Sequence, residues 1–204
     1  MRRVWLLLPL LLLAGWCVLP RAHGTTALHP VDWTRDPVQT PTDRPAFTVA
    51  TRKGPVTLRP RYSFEISAVV ASAERYRMDG GAFLSPLDLT LVWGELPAEP
   101  YWNQVHYTQT GRYYLWGTSS PELDLAYIPE HSSNLHMIPA DANVRRALLA
   151  AGTGDWVRLR GILVDAAGPG GFTWNTSTSR ADTGPGACEL VYVEEAQVGD
   201  WVYR

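Results

Sequence analysis

The chain has 204 residues, close to half of them hydrophobic, and a formal charge of −2 at pH 7. That size suits one domain with a full core, and that charge balance argues against broad electrostatic binding to nucleic acid or anionic lipid. Two cysteines, Cys17 and Cys188, exclude a disulfide-stapled scaffold and leave stability to packing.

Arg2 and Arg3 stand ahead of an apolar run from Val4 to Leu19, and Ala22-His23-Gly24 follows. The run is shorter than the ~20 residues a helix needs to cross a bilayer core. A basic start, an apolar centre and small residues before a cut predict a secretory signal peptide over residues 1–24. Left uncleaved, residues 4–19 would anchor the chain and still export the rest. Leu13-Ala14-Gly15-Trp16-Cys17 approaches a lipid-attachment box, although Trp16 stands where a small residue is needed. Every version places the working domain in the periplasm or on the extracytoplasmic face of the inner membrane. Lys53 is the sole lysine among many arginines, a bias expected of a bacterial genome.

Residues 25–60 carry Pro30, Pro37, Pro41, Pro45, Pro55 and Pro60 and show no sustained period. They form either an extended stem or a segment packed along the domain through Trp33 and Phe47. The domain proper is expected over residues 61–204. Phe64, Ile66, Ala68 and Val70 alternate with smaller or polar neighbours, predicting a long first strand. Leu87, Leu89, Leu91 and Trp93 predict a second. The aromatic stretch Gly111–Trp116, within 104–117, predicts a third. Asp141 as N-cap, with Val144, Ala147, Leu148 and Ala151 on one face and Gly152 after them, predicts one helix. Trp156–Asp165 is a fourth strand, where Val157, Leu159 and Leu163 face inward and Gly161 permits a close approach or bulge. A short strand near Phe172–Asn175 and a final one over Ala187–Glu194 complete the chain. The order β-β-β-α-β-β predicts a mainly β fold with one helix, an OB-fold-like five-stranded barrel.

Several segments bear on kinship: Phe64–Val70, Ser85–Leu89, Trp93-Gly94, Gln109–Tyr114, His131–Ala140, Gly154–Gly161, Ser179–Gly184 and Gly186–Glu189. Together they resemble a family of uncharacterised bacterial proteins, small β-rich domains that are exported or membrane-anchored. The resemblance implies no reaction, ligand or catalytic residue, so each candidate site rests on local chemistry.

Two sets of candidates emerge. Arg112, Tyr114 and Trp116 on one strand, with Trp156, Arg158 and Arg160 on another, combine guanidinium forks and aromatic planes suited to an anionic or ring-bearing ligand. The alternative pairs Arg158 and Arg160 with Glu189 or Glu194 and sends the aromatics to the core. The second set is a polar cluster of His131, Asn134, His136, Arg180 and Asp182. His131 and His136 are spaced wrongly for one helix face and lack a cysteine partner, so a hydrogen-bonded loop is favoured over a metal site. Asp182-Thr183-Gly184 echoes an aspartic-protease triplet but occurs once and lacks the apolar lead-in. Cys188 fits a small buried hydrophobe better than a nucleophile.

These expectations favour an exported, non-enzymatic binding or interaction module of the bacterial envelope, with no cofactor and no catalytic residues. Its partner would be a glycan, an anionic small molecule or an envelope protein; nucleic acid is disfavoured. The alternatives are an envelope hydrolase using His131, His136 and Asp182, with or without a metal, and a structural subunit of an envelope complex.

Overall fold

The computed structural model describes residues 22–179, 182, 184 and 186–204. The signal-peptide reading therefore falls almost entirely outside the described residues. Within them the chain is mainly β. Its strands are β1 (Thr25–Thr26), β2 (Val38–Pro41), β3 (Phe47–Thr51), β4 (Gly54–Arg75), β5 (Leu87–Val92), β6 (His106–Thr110) and β7 (Tyr113–Gly117). They continue with β8 (Ser132–Pro139), β9 (Trp156–Gly168), β10 (Phe172–Trp174), β11 (Leu190–Val198) and β12 (Trp201–Tyr203). Three helices, α1 (Tyr101–Gln104), α2 (Tyr127–Glu130) and α3 (Ala142–Ala150), punctuate them. No helix among the described residues is long and apolar enough to cross a membrane.

Five strands close a ring of hydrogen-bonded ladders in the order β4-β5-β8-β11-β9 and back to β4. Every ladder is antiparallel except β8–β11. Alternation along each strand sends Phe64, Ile66, Leu87, Leu89, Leu91, Leu135, Met137, Leu159, Leu163, Val191 and Val193 into one buried cluster. Val144, Leu148 and Ala151 join that cluster from α3 and its C-cap. The helix forms where Asp141 accepts hydrogen bonds from the amides of Asn143 and Val144, satisfying donors its first turn leaves orphaned. Gly161 makes the close approach its position anticipated: a Cβ there would run into the Tyr192 carbonyl oxygen. The β9–β11 ladder also shifts register at Val193/Glu195, beside that contact.

The expected third strand is corrected. Residues 106–117 form a two-stranded hairpin outside the ring, and β8 takes the third place. β8 had the character of a polar loop because Ser132, Asn134 and His136 alternate with Leu135 and Met137. That polar face is buried nonetheless, and Gln109, Arg112 and Tyr114 of the hairpin supply its hydrogen bonds.

Residues 38–41 and 47–51 pair antiparallel with β4, which itself begins at Gly54. The proline-rich segment thus lies along the sheet from Val38 onward. Phe47 packs edge-on against Tyr192, and Trp33 packs against Trp156. Prolines are tolerated because Pro41 sits at a strand end and Pro60 beside a register shift. A second apolar cluster, containing Val56, Leu58, Leu84, Ile138, Ile162, Val164 and Leu190, fills the space under β3.

Candidate functional site

Two arginine settings stand out, one built on Arg112 alone and one on several arginines, and their surroundings are opposite in kind. The first is built on the β6–β7 turn. Gly111 and Arg112 both take positive φ, 56° and 76°, the geometry of a two-residue hairpin turn of type I′. Left-handed backbone is uncommon for a residue with a Cβ, and here the side chain is tied down. Nε of Arg112 donates to Asp79 Oδ2 at 2.5 Å, and Nη2 donates to Asp79 Oδ1 and the Ser85 carbonyl, each at 2.9 Å. Nη1 donates to Asp88 Oδ1 at 2.7 Å and more weakly to Ser85 Oγ at 3.5 Å. The guanidinium lies 3.6 Å from the centre of the Tyr76 ring and 5.3 Å from that of Trp174. All five of its N–H donors are therefore engaged.

The charges respond accordingly. The hydrogen bond from Arg112 is the main cause holding the Asp79 carboxyl below its ordinary 3.8. Burial works against the charged guanidinium, but bonds to Asp79 and attraction to Asp88 outweigh it and raise its pKa further. Tyr76 is pushed up to about 12 by burial and then by the charge of Asp88. His136 Nδ1 lies 3.0 Å from Asp88 Oδ1, yet it makes no hydrogen bond among the described residues. The two atoms are close without the alignment a hydrogen bond requires.

Around this arginine, Asn134 accepts from Gln109 Nε2 at 2.6 Å and donates to the Arg112 carbonyl at 3.2 Å, tying the hairpin to β8. Cys188 Sγ lies 3.9 Å from both the Arg112 carbonyl oxygen and Asn134 Nδ2. Burial pushes its thiol up to about 11, so it stays protonated at neutral pH and is a poor nucleophile. The whole assembly sets one arginine of the hairpin turn between two aspartates, so that its cation is spent within the fold.

The second setting is a groove of about 810 Å³ outside the ring. Its walls are β3 with Arg52, the segment from Tyr76 to Pro86, the end of β8 with Ile138 and Pro139, Arg145 of α3, and Tyr192. Its charged lining is Arg52, Arg77 and Arg145, with no aspartate or glutamate. Lys53 Nζ lies 4.7 Å from the centre of the Phe83 ring, adding a fourth cation at the rim. Arg52 donates to the Arg77 carbonyl at 3.0 Å, which places the two side by side. None of the three arginines makes a salt bridge among the described residues. Asp141 adjoins the groove in sequence, but its Oδ1 is committed to the helix cap.

The two places share a wall. Tyr76, Ala82, Leu84 and Pro86 line the groove, while Tyr76, Asp79 and Ser85 of the same segment hold Arg112. Arg112, mostly covered, thus braces one side of the groove from behind.

The candidate residues from the sequence separate into several settings. Arg112, Asn134 and His136 come together, joined by Asp79, Asp88, Tyr76 and Trp174, which sequence reasoning did not single out. Tyr114 bonds Ser132 Oγ at 3.1 Å at the edge of that assembly, and Trp116 packs into the apolar cluster around Val69 and Ile128. Arg158 and Arg160 pair with Glu65 at 2.7 Å and 3.2 Å, neither with Glu189 nor with Glu194. Trp156 stacks beside Trp33, 4.9 Å between ring centres. His131, just before β8, lies flat on Tyr127 at 3.6 Å between ring centres, whereas His136 within β8 packs against Trp174. Asp182 accepts from Ser177 Oγ at 2.7 Å, and Arg180 lies outside the described residues. The described residues hold no group of three or more His, Cys, Asp or Glu placed to hold a metal.

The groove arginines were missed because they come from three distant segments and form no motif. The available signals were two short basic pairs, Arg52-Lys53 and Arg145-Arg146, far apart in the sequence. No protein-family model matches the chain, and neither the curated proteins nor the solved structures gave a match.

Proposed function

We propose that this chain is a non-enzymatic ligand-binding module of the bacterial cell envelope, built on an OB-like barrel. The groove carries the reading: about 810 Å³ of open space whose charged lining is all cationic, in a chain of net negative charge. The OB-like assignment is supported by the ring order, in which the fifth ring strand lies between the third and the fourth. It is supported equally by α3, which falls between the third and fourth strands and adds its apolar face to the core. Export is supported by the basic and apolar pattern of residues 1–24. A binding role is favoured over hydrolysis because Arg112 is committed to Asp79 and Asp88 and Cys188 is held protonated.

The test is a thermal-shift screen of the full chain with charged and neutral small molecules, repeated on Ala50→Trp. Ala50 is exposed and lines the groove, so tryptophan there fills space without touching the core. A ligand at a hundred times its Kd should stabilise the protein by about 2.7 kcal/mol, and Ala50→Trp should abolish that gain. A screen with no stabilising compound, or one in which Ala50→Trp responds equally, overturns the proposal.

A further inference from the structure

The geometry points to a ligand class: a phosphate or pyrophosphate group carried on an apolar or aromatic body. This inference rests on the binding-groove reading and narrows it. Guanidinium forks present paired donors that match the oxygens of a phosphate, and three of them line one groove here. Lys53 beside Phe83 brings a further positive charge to the same rim. Four cations with no lining carboxylate favour a group carrying two or more negative charges over a simple monocarboxylate.

The remaining lining describes the rest of the ligand. Phe83, Pro86, Pro139 and Tyr192, each partly exposed, add apolar and aromatic surface to the same lining. The volume is that of a site for a drug-sized molecule, far more than a bare phosphate fills. The Tyr192 ring packs edge-on against Phe47, which fixes one wall of the cleft. The Arg52 guanidinium is tied to the Arg77 main-chain carbonyl, the Arg77 side chain lines the same wall, and Arg145 comes from α3, so the anion is met from more than one element. The amides of Asn143 and Val144 are already taken by Asp141, which leaves recognition to side chains. Such a ligand exists in two forms, a soluble phosphate ester or a phospholipid headgroup, and the chemistry of the groove is common to both.

Equilibrium binding by the full 204-residue chain separates these outcomes. The probes are inorganic pyrophosphate, succinate, and vesicles of phosphatidylcholine alone or in equal mixture with phosphatidic acid. Pyrophosphate should bind, and Arg77→Ala with Arg145→Ala should weaken it at least about tenfold, the equivalent of one good charge-assisted contact. Arg77→Lys with Arg145→Lys should weaken it less, since charge survives and the fork does not. Arg35→Ala, whose side chain pairs with Asp32, should leave it unchanged. Phosphatidic-acid vesicles that also bind through Arg77 and Arg145 support the headgroup form; pyrophosphate binding without vesicle binding supports the soluble form. Succinate binding as tightly as pyrophosphate, and lost in Ala50→Trp, overturns the phosphate class while the groove reading stands. Failure of every probe here and in the thermal-shift screen overturns both.

Discussion

Arg112 and the groove arginines are the same residue in opposite circumstances. Arg112 has two aspartates, a carbonyl and an aromatic ring within reach, and it makes structure. Arg52, Arg77 and Arg145 line an open surface without a carboxylate, and their charge faces outward to whatever arrives. Burial multiplies the difference. A guanidinium removed from water requires full pairing, whereas an exposed one retains its hydration until a ligand replaces it. An arginine's contribution is therefore set by its neighbours rather than by its position in a motif.

The largest test of this contrast removes Arg112. Arg112→Ala leaves Asp88 buried without its cation and should lower unfolding free energy by about 3–5 kcal/mol in chemical denaturation. A loss below about 1 kcal/mol would place Arg112 with the surface arginines instead. Next comes the thiol beside it. With its pKa near 11, Cys188 should be alkylated at pH 8 at least about a hundredfold more slowly than an ordinary cysteine. Peptide-level mass spectrometry reads this separately from Cys17.

A smaller effect is set by acid. The Asp79 carboxyl titrates below 3.8 when folded, so its stabilising contribution is complete above that value and fades as pH falls beneath it. The stability gap between wild type and Asp79→Asn should hold steady down to about pH 5 and close below 3.8, measured by thermal unfolding. The smallest effect belongs to the groove. Arg77→Ala and Arg145→Ala should each change stability by no more than about 0.5 kcal/mol, because nothing in the fold depends on their charge. A larger loss there would erase the distinction between the two regions.

Legibility in the sequence followed the physics of each segment. The helix was readable since its cap and its apolar spacing act locally, although it ends by turning extended at Ala151 rather than through a left-handed Gly152. Both β4 and β9 were readable from alternation, and Gly161 from its place within that alternation. β8 was not, because its outward face is polar and buried under another element, so burial no longer follows hydrophobicity. The hairpin mimicked a ring strand for the converse reason: aromatic residues with strong strand character sit outside the ring. Asn134 and His136 were visible as a dense polar stretch, yet their partners arrive from elsewhere: Gln109 and Arg112 from the hairpin and Asp88 from β5. Arg158 and Arg160 were correctly suspected of cross-strand pairing, but with the wrong acids. Register decides the partner, and β9 sets Arg160 directly opposite Glu65.

The 22-residue span of β4 has a consequence for how the chain assembles. One edge of its middle waits for β9, which is synthesised roughly a hundred residues later. During that interval a row of unpaired amides and carbonyls stands open to any passing strand. A nascent chain held at this stage is a natural client for a chaperone, and production of a fragment ending before Trp156 invites aggregation.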